Sequence, residues 1–134
     1  MGILISWQLH AHNDHHEYAH RLVIHVSSGD PDIHARVVNQ AALMKRILGE
    51  DDIDIAVVTF GPGVGLLTKS SHHTRQIRNL MLQGTSFYAC DTTLKHEYFR
   101  NGKPPELLHG VKRTENGIER VMFLQEKGYA YLSL

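Results

Sequence analysis

The chain has 134 residues, a single cysteine (Cys90) and no excess of either charge. A single cysteine excludes an intramolecular disulfide, so the chain does not depend on an oxidising compartment and a cytoplasmic location is expected. Lys plus Arg number 14, and Asp plus Glu also number 14. Because binding of nucleic-acid phosphates needs a clustered excess of basic side chains, this balance argues against a nucleic-acid partner.

Long apolar segments are also absent. No run approaches the ~20 residues that cross a bilayer, so no membrane partner is expected. The N-terminal MGILISWQL is apolar but lacks a basic segment and a small-residue cleavage site, which favours a part of the mature chain over a signal peptide. The organisation predicted is a His-rich extension over residues 1–20 and one domain over residues 21–134.

The extension contains five of the eleven histidines: His10, His12, His15, His16 and His20. In a helix, His12, His15 and His16 would share one face and could bind a metal. A genuine site also needs a further ligand and supporting hydrogen bonds, and none is identifiable. Solvated histidines are therefore the preferred interpretation, and neither a metal nor a cofactor is predicted.

Segments typical of strands alternate with segments typical of helices along the rest of the chain. The predicted strands are RLVIHVS from Arg21, IDIAVVTF from Ile53, TSFYAC ending at Cys90, GVKRT from Gly110, and the C-terminal YAYLSL. The two apolar runs without alternation resemble strands buried on both faces. The order β-α-β-α-β-α-β-α-β predicts a three-layer α/β/α sandwich with a mainly parallel five-stranded sheet.

The intervening helices carry recognisable signals. Asp30 and Pro31 form a helix start, with Asp as the N-cap and Pro at the first helical position. A second helix is predicted within Ser70 to Gln83, and a short one directly after Cys90. In the last helix, NGIERVMFLQEKG, the predicted inward face consists of Ile118, Val121, Met122 and Leu124.

In a parallel sheet, ligands bind beyond the carboxyl ends of the strands. The segments SSGD, GPGVG and CDTT follow the first three predicted strands, so they are expected to gather at this edge. The predicted pocket residues around Cys90 are Ser27, Ser28, Gly29, Asp30, Gly61, Gly63, Asp91, Thr92 and Thr93.

The GPGVG segment does not carry a nucleotide-binding signature. It is neither G-x-G-x-x-G nor a P-loop, and Pro62 removes an N–H group that a phosphate would use. A tight strand-to-helix turn is the preferred interpretation. No Ser-His-Asp arrangement, paired-carboxylate pattern or HExxH motif is present, so hydrolase activity has no support.

Two interpretations of Cys90 are open on the residues alone. A cysteine that ends an apolar strand is commonly a small buried core residue. If Asp91 to Thr93 begin a helix, however, the thiol lies at its positive end, where a thiolate or persulfide anion is favoured. The carboxylate of Asp91 opposes this if it faces the sulfur.

Three stretches together resemble the DsrE/DsrF-like family, also called YchN-like. They are VVTFGPGV, QGTSFYACDTTL and the terminal LQEKGYAYL, and the resemblance extends over about Arg21 to Leu132. It implies a three-layer α/β/α fold and homo-oligomers, commonly trimers or hexamers. It also implies a cysteine persulfide that carries sulfur between donor and acceptor proteins, with Cys90 at the matching position.

This chain departs from the best-known sulfur carriers after the cysteine. Those proteins have a small-residue and double-arginine stretch where this chain has Leu94-Lys95-His96-Glu97. The resemblance thus leads to a sulfur-carrier or sulfurtransferase-type protein as the expected function. The alternative is a non-catalytic oligomeric protein of the same fold that binds a small ligand or acts as a scaffold.

Overall fold

The computed structural model describes residues 17–134, so the histidines at positions 10, 12, 15 and 16 lie outside the described residues. Strands and helices alternate as predicted. The elements are β1 (His20–Val26), α1 (Pro31–Leu48), β2 (Ile53–Thr59), a 3-10 helix (Gly61–Leu67), α2 (Thr74–Leu82), β3 (Ser86–Cys90), α3 (Asp91–Asn101), β4 (Lys112–Thr114), α4 (Gly117–Glu126) and β5 (Ala130–Ser133).

The five strands form one sheet in the order β4-β3-β2-β1-β5. Every pair in this sheet is parallel, so the carboxyl ends of all the strands lie at the same edge. Thr59 at the end of β2 is in register with Val26 of β1 and with Ala89 of β3, and Cys90 is in register with Thr114 of β4. The C-terminal strand lies at an edge of the sheet, next to β1.

Both faces of the sheet are buried, which confirms the predicted three-layer architecture. Along β2, Ile55 and Val57 pack into the larger core cluster with α1, the 3-10 helix and α2. Ala56 and Val58 point to the opposite face, where α4 covers them. Burial of alternate residues on opposite faces explains why the strand has no apolar-polar alternation.

The predicted inward face of the last helix is wrong for two residues. Val121 and Leu124 of α4 are buried against the sheet, but Ile118 is 66% exposed and Met122 is 49% exposed. Gly117, Val121 and Leu124 follow one another at spacings of four and three, so they form the stripe that faces the sheet. Ile118 lies about 100° around the helix from Gly117 and is therefore directed away from this stripe.

The segment after β2 also differs from the prediction. Residues 61–67 form a 3-10 helix with Pro62 in its first turn, where a tight turn was predicted. The following helix, Thr74–Leu82, lies within the predicted range of Ser70 to Gln83. The predicted start of α1 is confirmed, since Asp30 Oδ1 accepts a hydrogen bond from the Asp32 N–H at 2.8 Å.

The first helix is joined to the start of β2 by a buried lysine. Lys45 Nζ donates to the carbonyl oxygens of Glu50 at 3.0 Å and Ile53 at 2.6 Å. These bonds offset part of the cost of burying the ammonium group, because a buried charge without partners is strongly unfavourable. Among residues 17–134, no helix has the length and apolar character needed to span a membrane.

Candidate functional site at the Cys90 thiol

Cys90 ends β3 and is the N-cap residue of α3. The residue is 3% exposed. Because side chains alternate along a strand and Ala89 packs into the larger cluster, the thiol lies on the face covered by α4. The first N–H group of α4, that of Gly117, donates to Cys90 Sγ at 3.3 Å. The N-termini of α3 and α4 therefore both lie next to the sulfur atom of Cys90.

The surroundings of the thiol act on its pKa in opposite directions. Burial alone would raise the pKa of Cys90, because a desolvated thiolate is unfavourable. The N–H groups of Thr93, Gly117 and Thr92, together with the Thr93 hydroxyl, outweigh burial and hold the pKa below its ordinary value. The positive ends of α3 and α4 favour the thiolate in the same way.

Thr93 connects the thiol to the segment after β2. Its hydroxyl oxygen accepts a hydrogen bond from the Gly61 N–H at 2.8 Å, and the hydroxyl proton is then available to the sulfur of Cys90. Gly61 has a φ of 54°, in the left-handed region that favours glycine. The predicted residues Gly61 and Thr93 thus meet at this site.

Asp91 and Thr92 tie the start of α3 to the segment around β4. Asp91 Oδ1 accepts from Arg113 Nε at 2.6 Å, and the Thr92 hydroxyl donates to the Glu115 carbonyl at 3.0 Å. The ion pair with the guanidinium of Arg113 compensates the negative charge of the Asp91 carboxylate at the start of α3.

Two of the predicted residues after β1, Ser28 and Asp30, form hydrogen bonds at the start of α1. Besides the Asp30 cap, Ser28 Oγ accepts from the Asp30 N–H at 3.0 Å, and the Ser28 carbonyl is bonded to His34 Nε2 at 2.6 Å. These residues follow β1, and β2 separates β1 from β3. Ser28 and Asp30 thus have hydrogen-bonding roles at the start of α1. The carbonyl oxygen of Ser27 lies beside Gly61, 3.8 Å from the position of an added Cβ.

Gly29 and Gly63 allow the loops after β1 and β2 to pack closely. A Cβ on Gly63 would overlap the carbonyl oxygen of Val26, and one on Gly29 would lie 3.1 Å from Cβ of Pro62. Backbone packing therefore accounts for glycine at position 63, and at position 29 a side chain would press against the Pro62 ring.

Phe60 forms an apolar wall beside the site. A Cβ added to Gly117 would lie 2.9 Å from Cδ1 of Phe60, so the ring packs directly against the start of α4. The ring also stacks on His25, with centroids 4.2 Å apart. His25 Nδ1 is hydrogen-bonded to the Tyr131 hydroxyl at 2.7 Å, while Nε2 is buried without a partner among the described residues. Burial lowers the pKa of His25.

Two residues of this site, Phe60 and Gly117, are missing from the sequence-based set. A signal for Gly117 does exist: Asn116 precedes it and is the N-cap of α4, accepting from the N–H groups of Ile118 and Glu119. Such an N-cap after β4 places a helix start at the same edge of the sheet. The proximity of that start to Cys90 depends on β4 lying next to β3, which is a tertiary feature.

No group of three or more His, Cys, Asp and Glu side chains within residues 17–134 is arranged to hold a metal ion. His34, His72 and His73 come close enough to interact, since His34 and His72 add to the effect of burial in lowering the pKa of His73.

Comparison with known proteins relates the chain to solved structures. Neither models of protein families nor curated proteins gave a match. The structure of MTH1491 from Methanobacterium thermoautotrophicum, a protein of unknown function, is similar with a TM-score of 0.77 and 26% sequence identity, over 86% of this chain and 99% of that one. BT1422 from Bacteroides thetaiotaomicron, a conserved protein of unknown function, is similar in fold, with a TM-score of 0.59 and 18% identity over 85% of this chain and 94% of that one. The resemblance to the DsrE/DsrF-like family stays a prediction.

Proposed function

We propose that the protein carries sulfane sulfur as a persulfide on Cys90, in sulfur relay or intracellular sulfur oxidation. The observation that carries the proposal is the convergence of two helix N-termini on one thiol, with the Gly117 N–H donating to its sulfur at 3.3 Å. This arrangement favours the thiolate, which is the nucleophilic form of cysteine. The sequence resemblance to the DsrE/DsrF-like family points to the same residue.

The chemistry is a two-step exchange without net oxidation. In the first step, the Cys90 thiolate attacks the terminal sulfur of a donor persulfide, the donor S–S bond breaks, and the donor leaves as a thiolate. In the second, an acceptor thiolate attacks the outer sulfur and Cys90 leaves as a thiolate. With no other cysteine in the chain, no neighbouring thiol can discharge the persulfide as an intramolecular disulfide.

The environment of Cys90 suits both states of this cycle. The same N–H groups that favour the thiolate can donate hydrogen bonds to a persulfide anion and stabilise it. The Phe60 ring packs against Gly117, whose N–H donates to the thiol. Because the residue is 3% exposed, we infer that local opening of the surrounding loops admits small reagents, and the sulfur donor and acceptor, to the thiol.

The proposal includes a homo-oligomer, a trimer or hexamer by the family resemblance. The exposed apolar side chains Ile118 and Met122 on α4 support an interface, since exposed apolar patches commonly mark one. The absence of net charge gives little electrostatic repulsion between copies. Native mass spectrometry would give the number of chains.

Mass spectrometry after incubation with polysulfide tests the sulfur-carrier function. The expected product is an adduct of about 32 Da, one sulfur atom, on the peptide containing Cys90, removable by a reducing thiol. Cys90→Ser is the matched control and gains no reducible adduct. If the native protein acquires no such adduct with either polysulfide or thiosulfate, the sulfur-carrier proposal is wrong.

The second candidate is a non-catalytic oligomer that binds a small ligand or serves as a scaffold. The observation that favours it is the burial of Cys90, because a shielded thiol is commonly inert. The rate of alkylation in the native protein separates the two functions. A scaffold role predicts slow alkylation that accelerates only on unfolding, whereas the sulfur-carrier role predicts rapid alkylation of the folded protein near neutral pH.

A further inference from the structure

A second concave region lies apart from Cys90, between the 3-10 helix and the C-terminal half of α3. It is a cleft of about 660 Å³. One wall is formed by residues 61–65, and the opposite side by α3 and the turn that follows it. Sites for small molecules typically have volumes of about 300–1,000 Å³. The size of the cleft therefore fits a small metabolite.

Polar side chains converge on the cleft with an excess of positive charge. Arg100 and Lys103 are its two cations, and Glu97 is its one anion. Glu97 Oε2 accepts from Arg100 Nη2 at 3.3 Å and from Asn101 Nδ2 at 3.0 Å, so one carboxylate positions both donors. Arg100 keeps further N–H groups for a ligand. Lys103 forms no ion pair within residues 17–134.

The opposite end of the cleft supplies hydroxyl groups on a braced backbone. Thr68 and Ser70 line it, with their side-chain oxygens 3.1 Å apart. The Lys69 N–H donates to the Glu106 carbonyl at 2.9 Å, which ties this segment to the stretch that leads to β4. Because backbone hydrogen bonds hold the two sides together, the cleft is formed before any ligand binds.

The remaining lining residues narrow the chemical class of the ligand. They are small or apolar and include three prolines, which stiffen the walls: Gly61, Pro62, Val64, Gly65, Pro104 and Pro105. No aromatic residue of the described chain lines the cleft, so no ring is placed to stack on a nucleobase. Hydroxyl, amide and cationic groups instead match a compact, polyhydroxylated anion.

We propose that this cleft binds a phosphomonoester of a small polyhydroxylated molecule, such as a sugar phosphate. Arg100 and Lys103 bind the phosphate, since charge-assisted hydrogen bonds from such groups are the strongest available to a protein. Asn101 and the Thr68 and Ser70 hydroxyls bind the hydroxyl groups of the ligand. Cys90 does not line the cleft, although Gly61 contributes to both sites, so ligand binding in the cleft can be measured separately from sulfur transfer.

Isothermal titration calorimetry with ribose 5-phosphate tests the proposal. The expected result is saturable binding of one molecule per chain, with ribose giving no heat of binding. Arg100→Gln and Lys103→Gln are each expected to weaken binding about tenfold or more, the loss typical of a hydrogen bond to a charged group. Lys95→Gln, which removes an exposed lysine of α3 outside the cleft, is the matched control and leaves binding unchanged.

Several results would overturn the proposal. These are the absence of saturable binding up to about 10 mM ligand, equal weakening by Lys95→Gln, and binding that survives both cleft substitutions. Urea midpoints equal to that of the native protein establish that the variants are folded. Because Cys90→Ser leaves the cleft intact, it is expected to bind ribose 5-phosphate normally. Failure of this site is thus distinguishable from failure of the sulfur-carrier function.

Discussion

The substitution Gly117→Ala tests whether the thiol depends on the close approach of α4. The Gly117 N–H donates to Cys90 Sγ at 3.3 Å. A Cβ at this position would lie 2.9 Å from Cδ1 and 3.2 Å from Cβ of Phe60. A Cβ atom does not normally approach another heavy atom within 3.0 Å. Either the ring or the start of α4 must therefore move.

The cost of that movement can be set against the usual benefit of replacing glycine. Overpacking costs about 1–3 kcal/mol, whereas replacing glycine by alanine stabilises by about 0.4–1 kcal/mol through the entropy of the unfolded chain. Phe60 cannot turn away freely, because it stacks on His25 with centroids 4.2 Å apart. We expect a net destabilisation of about 1–2 kcal/mol, which lowers the urea midpoint by roughly 0.5–1 M.

A second measurement links this substitution to the thiol. Displacing the Gly117 N–H removes one of the donors that lower the pKa of Cys90, so the pH profile of alkylation should move to higher pH. Gly65→Ala is the control, because the nearest atom to its Cβ is His34 Cε1 at 3.9 Å. If Gly117→Ala is as stable as Gly65→Ala and the alkylation profile is unchanged, the assigned role of α4 is wrong.

The remaining predictions concern the thiol, pH and capping. Thr93→Val removes a hydroxyl that lowers the pKa of Cys90, so alkylation of the folded variant at pH 7 should be slower. In urea, the unfolded variant and the unfolded native sequence should react at the same rate. Burial lowers the pKa values of His25 and His73, so the native rings resist protonation that the unfolded chain accepts. The urea midpoint should then fall as the pH drops below about 6.5, and a midpoint that rises would contradict this sign. Asn116→Ala should destabilise by about 1 kcal/mol through loss of the N-cap, whereas Asn116→Asp should not.

The sequence was most informative where one interaction dominates a segment. Continuous apolar runs predicted the buried strands, because a strand covered on both faces has no polar side to display. Asp30 and Pro31 predicted the start of α1 for an equally local reason, since the cap and the ring act on the adjacent backbone. The helix after Cys90 was also predicted correctly, from residues that follow the cysteine directly.

Features that depend on distant segments were not predictable in the same way. Gly117 is 27 residues from Cys90 along the chain, and its contact requires β4 to pair with β3. Likewise, the spacing of apolar residues in α4 predicts that Ile118 faces the sheet, whereas the side chain is exposed. Which of its apolar residues face the sheet depends on the rotation of the helix over the strands, and the helix is rotated so that Gly117 lies against Phe60.

The opposing effects on Cys90 explain why burial alone does not decide its role. A buried thiol without donors would have a raised pKa and would be inert at neutral pH. Here N–H groups from two helices reverse the direction of the shift while the side chain stays covered. Burial and the hydrogen-bond donors therefore act together on the pKa of Cys90, and the donors decide the direction of the shift. Loss of one donor, through Gly117 or Thr93, should move the residue towards the inert state without uncovering it.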